Sequence, residues 1–283
     1  MHLPSFASTV AIDWSGAKGR RHKGIAIAEA REEQAPRLVR PGHVWSRREV
    51  LEWLLDRAAR EPTLFGFDFS FAPPFLERGS YLPGEAVPET AKPFWAYVEA
   101  RSDDEDLGAA SFLEDVHRRH FYFGKADGTK ADYMHFRTVE QRFNESGGGK
   151  AATVYDAIGA AQVAKASFAG MRLLHRLDGR IPVWPFDPVE PGGSAVVEIY
   201  GRLYIRKAGL RGLKLRDRTS LNQALAALGS PPWRQRAPLT DHATDALVTA
   251  AGMRSMLKDP AAFAPPALTD EIARTEGWTF GVV

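Results

Sequence analysis

Cysteine is absent from the 283 residues of the chain. Its absence excludes disulfide bonds, thiolate zinc sites and cysteine nucleophiles together, so any metal ion would be held by carboxylate, imidazole or water. An excess of one charge is also missing, because 37 Lys and Arg residues stand against 35 Asp and Glu residues. The net charge of +2 produces no global basic field for nucleic acid, although local basic patches could still bind it.

Long apolar runs and targeting signals are missing as well. No span reaches about 18 uninterrupted apolar residues, and the first residues do not combine a basic segment with an apolar one. We therefore expect a soluble, cytoplasmic protein. With 44% hydrophobic residues, the chain is long enough to bury a full core, as one elaborated domain or as two.

The hydrophobic pattern predicts an α/β protein. Strands are expected over residues 9–13, 24–30, 37–45 and 64–69. A helix is expected over 47–60, where Ser46 is placed to cap it and Glu49 to complete a capping box. Further along, the pattern predicts a helix over 153–177, a strand in SAVVEIYGRLYI, and helices in SLNQALAALG and LTDHATDALVTAAGMRSMLK.

Residues 73–150 break this pattern. They include PPFLERGSYLPGEAVPETAKP, the acidic stretch RSDDEDLG and the aromatic stretch HFYFGKADGTKADYMHF. An unstructured loop of this length is unusual in a compact domain. We therefore expect an insertion or cap with some helix, within a single domain that spans residues 1–283.

Acidic residues stand where two of the predicted strands end. In STVAIDWSGAKG, the residues Val10, Ala11 and Ile12 read as a buried strand, and Asp13 follows them. An unpaired charge is costly there unless a cation or hydrogen bonds receive it. Asp68 ends the fourth predicted strand in the same way, in GFDFSFAPP.

More acidic residues could join this pair from the C-terminal half. Glu198 lies among apolar neighbours in VVEIY, where its alternative role is an ion pair with an arginine such as Arg202. Asp241 and Asp245 lie four residues apart and share a helix face, with His242 on the same side. Carboxylates gathered this closely raise one another's pKa unless a divalent cation neutralises them. The pattern therefore favours a metal site.

The order of elements and motifs is similar to that of a known fold and family. A three-strand meander, a helix, a strand, an insertion, then helix, strand and helices is the element order of the ribonuclease H-like fold. IDWSGAKG, GFDFSFAPP, EIY, DHATDALVTAA and EGWTFGV together resemble the DUF429 family of predicted ribonuclease H-like nucleases. HATDAL also resembles the final helix of RuvC-type Holliday junction resolvases. The resemblance covers most of the chain outside residues 73–150.

The resemblance implies a mixed five-stranded sheet flanked by helices, in which the first three strands form an antiparallel meander. It implies catalytic roles for Asp13, Asp68, Asp245 and Glu198. It implies metal binding by Asp13, Asp68, Asp245, Asp241 and His242. The implied activity is hydrolysis of phosphodiesters in DNA or RNA with two Mg²⁺ or Mn²⁺ ions roughly 4 Å apart, without a protein nucleophile. The fourth-strand acid is usually glutamate in the resolvases, so the shorter Asp68 could hold the ions differently or hold one ion. Resolvase-like relatives also allow for a homodimer.

Basic residues follow the predicted fifth strand. Between Gly201 and Arg218, seven basic residues accompany one acidic residue. A basic patch beside a carboxylate site suits the phosphate backbone of nucleic acid, although a solvated basic face explains the same pattern. The candidate phosphate contacts are Arg202, Arg206, Lys207, Arg211 and Lys214. The aromatic segment 117–137 leaves a similar choice between stacking on bases and packing its own rings as a lid.

Two other functions fit parts of the sequence. An actin-like or sugar-kinase-like ATP-binding phosphotransferase shares the core topology, and DWSGAKG could form its first phosphate turn. No glycine follows Asp68 for a second turn, however, and only one core is visible where that family needs two. A non-catalytic nucleic-acid-binding or protein-binding module would keep the fold without the chemistry.

Overall fold

Five strands form one mixed sheet in the computed structural model, which describes residues 5–147, 149, 151–159, 162–210, 215 and 217–283. The strands are β1 (Ser8–Asp13), β2 (Ala26–Arg31), β3 (Arg37–Leu38), β4 (Thr63–Phe67) and β5 (Ala195–Glu198). Their order is β3-β2-β1-β4-β5. β2 pairs antiparallel with β1 and with β3, whereas β1, β4 and β5 run parallel. The predicted mixed sheet with an antiparallel three-strand start is confirmed.

Helices cover both faces of this sheet. They are α1 (Arg47–Arg60), α2 (Ala91–Ala100), α3 (Thr138–Glu145), α4 (Val163–Leu177), α5 (Gly201–Lys207), α6 (Arg218–Ala227), α7 (Asp241–Met256) and α8 (Asp270–Thr275). Successive β1 side chains point to opposite faces, so Val10 and Ile12 pack with α1, α2 and α4, whereas Ala11 packs with α7. Among the described residues, no helix is long and apolar enough to cross a membrane.

The start of α1 follows local sequence rules. Ser46 accepts a hydrogen bond from the backbone N–H of Glu49, and the Glu49 carboxylate accepts one from the N–H of Ser46, 3.0 Å in each case. This is the predicted capping box, and the predicted bounds of the helix are confirmed. Val50 and Leu54, on the inner side of this helix, are fully buried.

The third predicted strand is much shorter than expected. Arg37–Leu38 pairs with β2, and the backbone N–H of Val39 adds one further hydrogen bond to Ile27 at 2.8 Å. Arg40 and Gly42 then adopt left-handed backbone conformations, with φ of 47° and 79°, which take the chain out of the sheet. Trp45 forms only an isolated bridge with His22.

Two predicted elements in the second half also start or stop elsewhere. The helix expected over 153–177 begins at Val163, because the backbone of Tyr155 and Ala157 pairs with Tyr122 instead. The strand expected in SAVVEIYGRLYI ends at Glu198, and α5 starts at Gly201. The neighbouring strand β4 ends at Phe67, two residues before its predicted end, so the sheet offers no further partner there.

The insertion is part of the main core. Residues 73–150 contribute α2, α3 and several short turns. Most of their buried side chains join the core on the α1 and α4 face of the sheet, whereas Val139 and Phe143 of α3 join the core on the α7 face. Phe121 from the aromatic segment is fully buried and packs on Tyr155 and Phe168. These contacts favour internal packing over base stacking for this ring.

Asp106 ties the insertion to the start of α1. Its carboxylate accepts hydrogen bonds from the backbone N–H groups of Arg47, at 2.8 Å, and Arg48, at 3.1 Å. The Nε2 of buried His22 lies 3.0 Å from it. Burial alone would raise the pKa of Asp106, but these hydrogen bonds outweigh burial and lower the pKa.

Asp106→Asn is therefore expected to destabilise the protein by about 1.5–3 kcal/mol at neutral pH. Asparagine tolerates the left-handed backbone at this position, where φ is 47°, so the change removes charge with little strain. Because the carboxyl pKa is lower in the folded chain, its contribution is complete above the unfolded value, near 3.9, and is lost as pH falls through the folded value. Urea unfolding at a series of pH values should show the variant losing less stability below about pH 4 than the parent. An equal loss of stability in the variant and the parent below pH 4 would contradict this role of the Asp106 carboxylate.

Candidate active site at the sheet edge

Asp13 and Asp68 lie at the same edge of the sheet. β1 and β4 are parallel neighbours, and Ile12 is level with Phe67, so the residue after each lies at the carboxyl end of its strand. The backbone N–H of Trp14 donates to Oδ1 of Asp68 at 2.7 Å. Two acidic residues 55 positions apart in the chain are thereby brought side by side, as the motif order predicts.

The turns that follow both strands are held against α4. A Cβ atom at Gly16 would lie 2.2 Å from the backbone nitrogen of Ala166, so the Ser15-Gly16 turn can approach the helix only because glycine is there. The backbone N–H of Ser70 donates to Oγ of Ser167 at 3.1 Å. The site is therefore supported by a helix rather than by mobile loops.

Helix α7 brings the C-terminal residues to this edge. Thr240 caps the helix by accepting a hydrogen bond from the N–H of Ala243, which orients the first turn. The Nδ1 of His242 then lies 3.0 Å from Oδ1 of Asp13. Asp245 is half-buried one turn after the exposed Asp241, and its charge acts on Asp68.

Like charges at this edge oppose ionisation. Burial raises the pKa of Asp13, and the hydrogen bond with His242 offsets part of the rise. Enclosure by the protein, then the charges of Asp13 and Asp245, raise the pKa of Asp68 well above its usual range. Asp68 still keeps a solvent-exposed side, in a cavity of about 100 Å³. The hydrogen bond with Asp13 in turn raises the pKa of His242, against the opposing effect of burial.

The donor set suits a hard divalent cation. Carboxylate oxygens are the ligands that Mg²⁺ and Mn²⁺ prefer, and a cation would remove the repulsion that raises the pKa of Asp68. Among the described residues, a different group, Glu85, His117 and His120, has all its ligand atoms within 4.8 Å of one another. Asp13, Asp68 and Asp245 do not form such a compact group among the described residues.

Glu198, expected to take part in catalysis, lies in a buried ion pair. Both carboxylate oxygens accept from the guanidinium of Arg137, at 2.5 and 2.8 Å. The hydroxyl of Thr279 and the N–H of Phe71 donate to the same carboxylate, at 2.7 and 2.8 Å. The partner is Arg137 and not Arg202, and four hydrogen bonds favour a structural role for Glu198.

The predicted phosphate contacts fall into two groups. Arg202 and Lys207 are exposed on α5, which begins at the carboxyl edge where Asp68 lies. Arg206 is half-buried, and its Nη1 donates to Oγ of Ser146 at 3.2 Å, so it is partly engaged within the protein. Arg211 and Lys214 lie outside the described residues.

Asp68→Asn is expected to stabilise the metal-free protein. The amide oxygen can keep the hydrogen bond from Trp14, while the repulsion from Asp13 is removed. Because water screens this partly exposed carboxylate, we expect a gain of only ~0.5–1 kcal/mol in the free energy of unfolding. Urea unfolding in the presence of a chelator measures it, with Asp56→Asn on the exposed face of α1 as the matched control. A loss of stability in Asp68→Asn, with none in Asp56→Asn, would show that repulsion between the carboxylates does not destabilise the metal-free protein.

Sequence reasoning missed two clusters, the Arg137 ion pair and the Glu85, His117 and His120 group. Arg137 stands 61 residues before Glu198, and no spacing rule links such positions. The two histidines, three residues apart, did carry a signal, since residues at that spacing share one side of a helical turn.

A comparison with known proteins finds no match, since no family model, no curated protein and no solved structure is similar to the chain. The resemblance to the DUF429 family therefore stays a prediction from sequence motifs. Function has to be inferred from the geometry of the site.

Proposed function

We propose that the protein is a divalent-metal-dependent nuclease of the ribonuclease H-like fold, which hydrolyses phosphodiester bonds of DNA or RNA. The observation that supports it most directly is the meeting of Asp13, Asp68 and Asp245 at one edge of the sheet, where their charges oppose one another. A protein that uses no cation has little reason to retain this arrangement.

The sheet is consistent with this proposal. The observed sheet, with the order β3-β2-β1-β4-β5, contains the antiparallel three-strand meander within a mixed five-stranded sheet that the sequence resemblance implies. The ATP-binding alternative needs two such cores, and the described residues form a single five-stranded sheet. That contrast favours the nuclease.

Asp13, Asp68 and Asp245 would hold the Mg²⁺ or Mn²⁺ ions, with Asp241 and His242 at the rim. When bound, such ions activate water and stabilise the charge that develops on a phosphodiester. Asp13 occupies the centre of the group, between the fourth-strand acid and the last helix. His242 is half-exposed, so its ring can rotate towards solvent and release Oδ1 of Asp13 for a ligand.

Contacts with the substrate would come from basic side chains near the two ends of α5. Arg202 and Lys207 are exposed there and can neutralise phosphates without reading sequence. Each neutralised phosphate releases counterions, so binding should weaken steeply as salt rises. Arg202→Gln and Lys207→Gln should weaken binding to all sequences alike.

A cleavage screen tests the proposal. Single-stranded, duplex, hybrid and branched DNA and RNA would be incubated with the full chain and Mg²⁺ or Mn²⁺, with a chelator as the blank. Cleavage that requires the metal and disappears in Asp13→Asn supports the nuclease. Salt-sensitive binding without metal uptake or cutting would instead support the non-catalytic module. Thermal stabilisation by ATP without cleavage would support the phosphotransferase.

A further inference from the structure

Three metal-ligating side chains of the insertion converge away from the sheet edge. Glu85, His117 and His120 each offer one ligand atom, and these atoms all lie within 4.8 Å of one another. Oε1 of Glu85 lies 3.8 Å from Nδ1 of His117 and 3.3 Å from Nε2 of His120. This is a side-chain cluster of the kind that holds a single ion.

His117 supplies an unpartnered atom to this cluster. Its side chain is only 3% exposed, and Nδ1 has no hydrogen-bond partner. The other ring nitrogen, Nε2, lies 3.1 Å from the hydroxyl of Tyr97. If Nε2 donates its proton to Tyr97, Nδ1 carries a lone pair that faces the Glu85 carboxylate. A lone pair and a carboxylate repel unless a cation lies between them.

The backbone places His120 on the same side. Residues Arg118–His120 form one 3₁₀ turn, in which side chains three positions apart eclipse one another. Nε2 of His120 lies within hydrogen-bond distance of both Nε of Arg119, at 3.2 Å, and Oε1 of Glu85, at 3.3 Å. Nη2 of Arg119 lies 2.7 Å from Oε1 of Glu85. The exposed guanidinium of Arg119 therefore occupies the position that a bound metal cation would take.

We propose that Glu85, His117 and His120 form a binding site for Zn²⁺ or a chemically similar transition metal, separate from the carboxylate site. Imidazole nitrogens favour this class of ion over Mg²⁺ and Ca²⁺. Ligand atoms about 2.0–2.2 Å from a tetrahedral Zn²⁺ lie roughly 3.4 Å apart, close to the distances of 3.3 and 3.8 Å found here. Three protein ligands leave one position for water.

Burial around the cluster favours neutral histidine ligands, whereas the nearby arginines oppose the binding of a metal cation. Burial lowers the pKa of both His117 and His120, which keeps both rings in the neutral form that a metal requires. The charges of Arg78, Arg101 and Arg119 act on these rings and would repel an ion. Arg119 is 63% exposed and can swing into solvent when the metal binds. The hydroxyl of Tyr97 would orient His117, as outer hydrogen bonds do in other metal sites.

Titration of the metal-free full-length chain with Zn²⁺ tests the site, with calorimetry for stoichiometry and Co²⁺ absorption as the sign of imidazole ligation. We expect one imidazole-bound ion in the parent besides any held by the carboxylates of the sheet edge, at least tenfold weaker binding of this ion in His120→Gln and Glu85→Gln, and about tenfold weaker binding in Tyr97→Phe. Arg119→Gln should bind more tightly, because it removes the competing cation and no ligand. This gain cannot come from misfolding.

Two controls separate this site from the sheet edge. Asp13→Asn should keep the Zn²⁺ site intact, and so should His175→Gln, which changes an exposed histidine of α4. Absence of binding in the folded parent would overturn the proposal. So would a Zn²⁺ site that is lost in Asp13→Asn and kept in Glu85→Gln, because the ion would then belong to the carboxylates.

Discussion

Asp13→Asn is expected to lower metal-dependent phosphodiester cleavage by at least about 10³-fold, which corresponds to ~4 kcal/mol in transition-state stabilisation. Asp13 lies between the residues that approach from β4 and from α7, so its carboxylate is the ligand that two ions would share. Asparagine keeps the volume of the side chain and a hydrogen-bond partner for Nδ1 of His242. The substitution therefore removes charge rather than structure.

The comparison needs a variant with the same chemical change elsewhere. Asp56→Asn provides it, because Asp56 is an exposed residue of α1 paired only at the surface with Arg60. Initial rates at saturating Mn²⁺ should be unchanged in Asp56→Asn, and circular dichroism should show both variants folded. If Asp13→Asn cuts within tenfold of the parent rate, the metal is not held at this edge and the proposed mechanism is wrong.

Arg137→Met is expected to lower the free energy of unfolding by about 3–5 kcal/mol. Arg137 is 1% exposed, and its guanidinium donates to the carboxylates of Glu198 and Glu140. It also donates to the backbone carbonyl of Glu276 at 2.9 Å. Burial opposes the charge of Arg137, but the two carboxylates outweigh it and raise the pKa above its usual range. Methionine fills similar space and leaves both carboxylates without their cation.

A surface pair and a double variant make this result specific. Arg60→Met breaks the exposed pair with Asp56 and should cost less than about 1 kcal/mol in urea unfolding. Adding Glu198→Gln to Arg137→Met should recover part of the lost stability, because it removes one uncompensated charge. A double variant less stable than Arg137→Met would contradict the ion-pair interpretation and return Glu198 to the list of functional candidates.

Local features of the fold could be predicted from the sequence. The capping box of Ser46 and Glu49 marks the start of α1 because its partners lie three residues apart. The apolar run before Asp13 predicts a buried strand in the same way. The predicted boundaries were wrong where distant pairing decided them. Ile199 makes the last backbone hydrogen bond to β4, with the carbonyl of Phe67, and the residues after it turn into α5.

The sequence by itself determined that α1 is an amphipathic helix, that β1 and β4 are buried strands, and that Asp13 and Asp68 stand at strand ends, because hydrophobic period and helix caps act over a few residues. Only the tertiary structure decided that Arg137 neutralises Glu198 and that Glu85 meets His117 and His120. Such pairings depend on how separate elements pack. The partner of a buried charge or lone pair is the group that packing places next to it, and the distance between the two residues in the sequence does not predict that pairing.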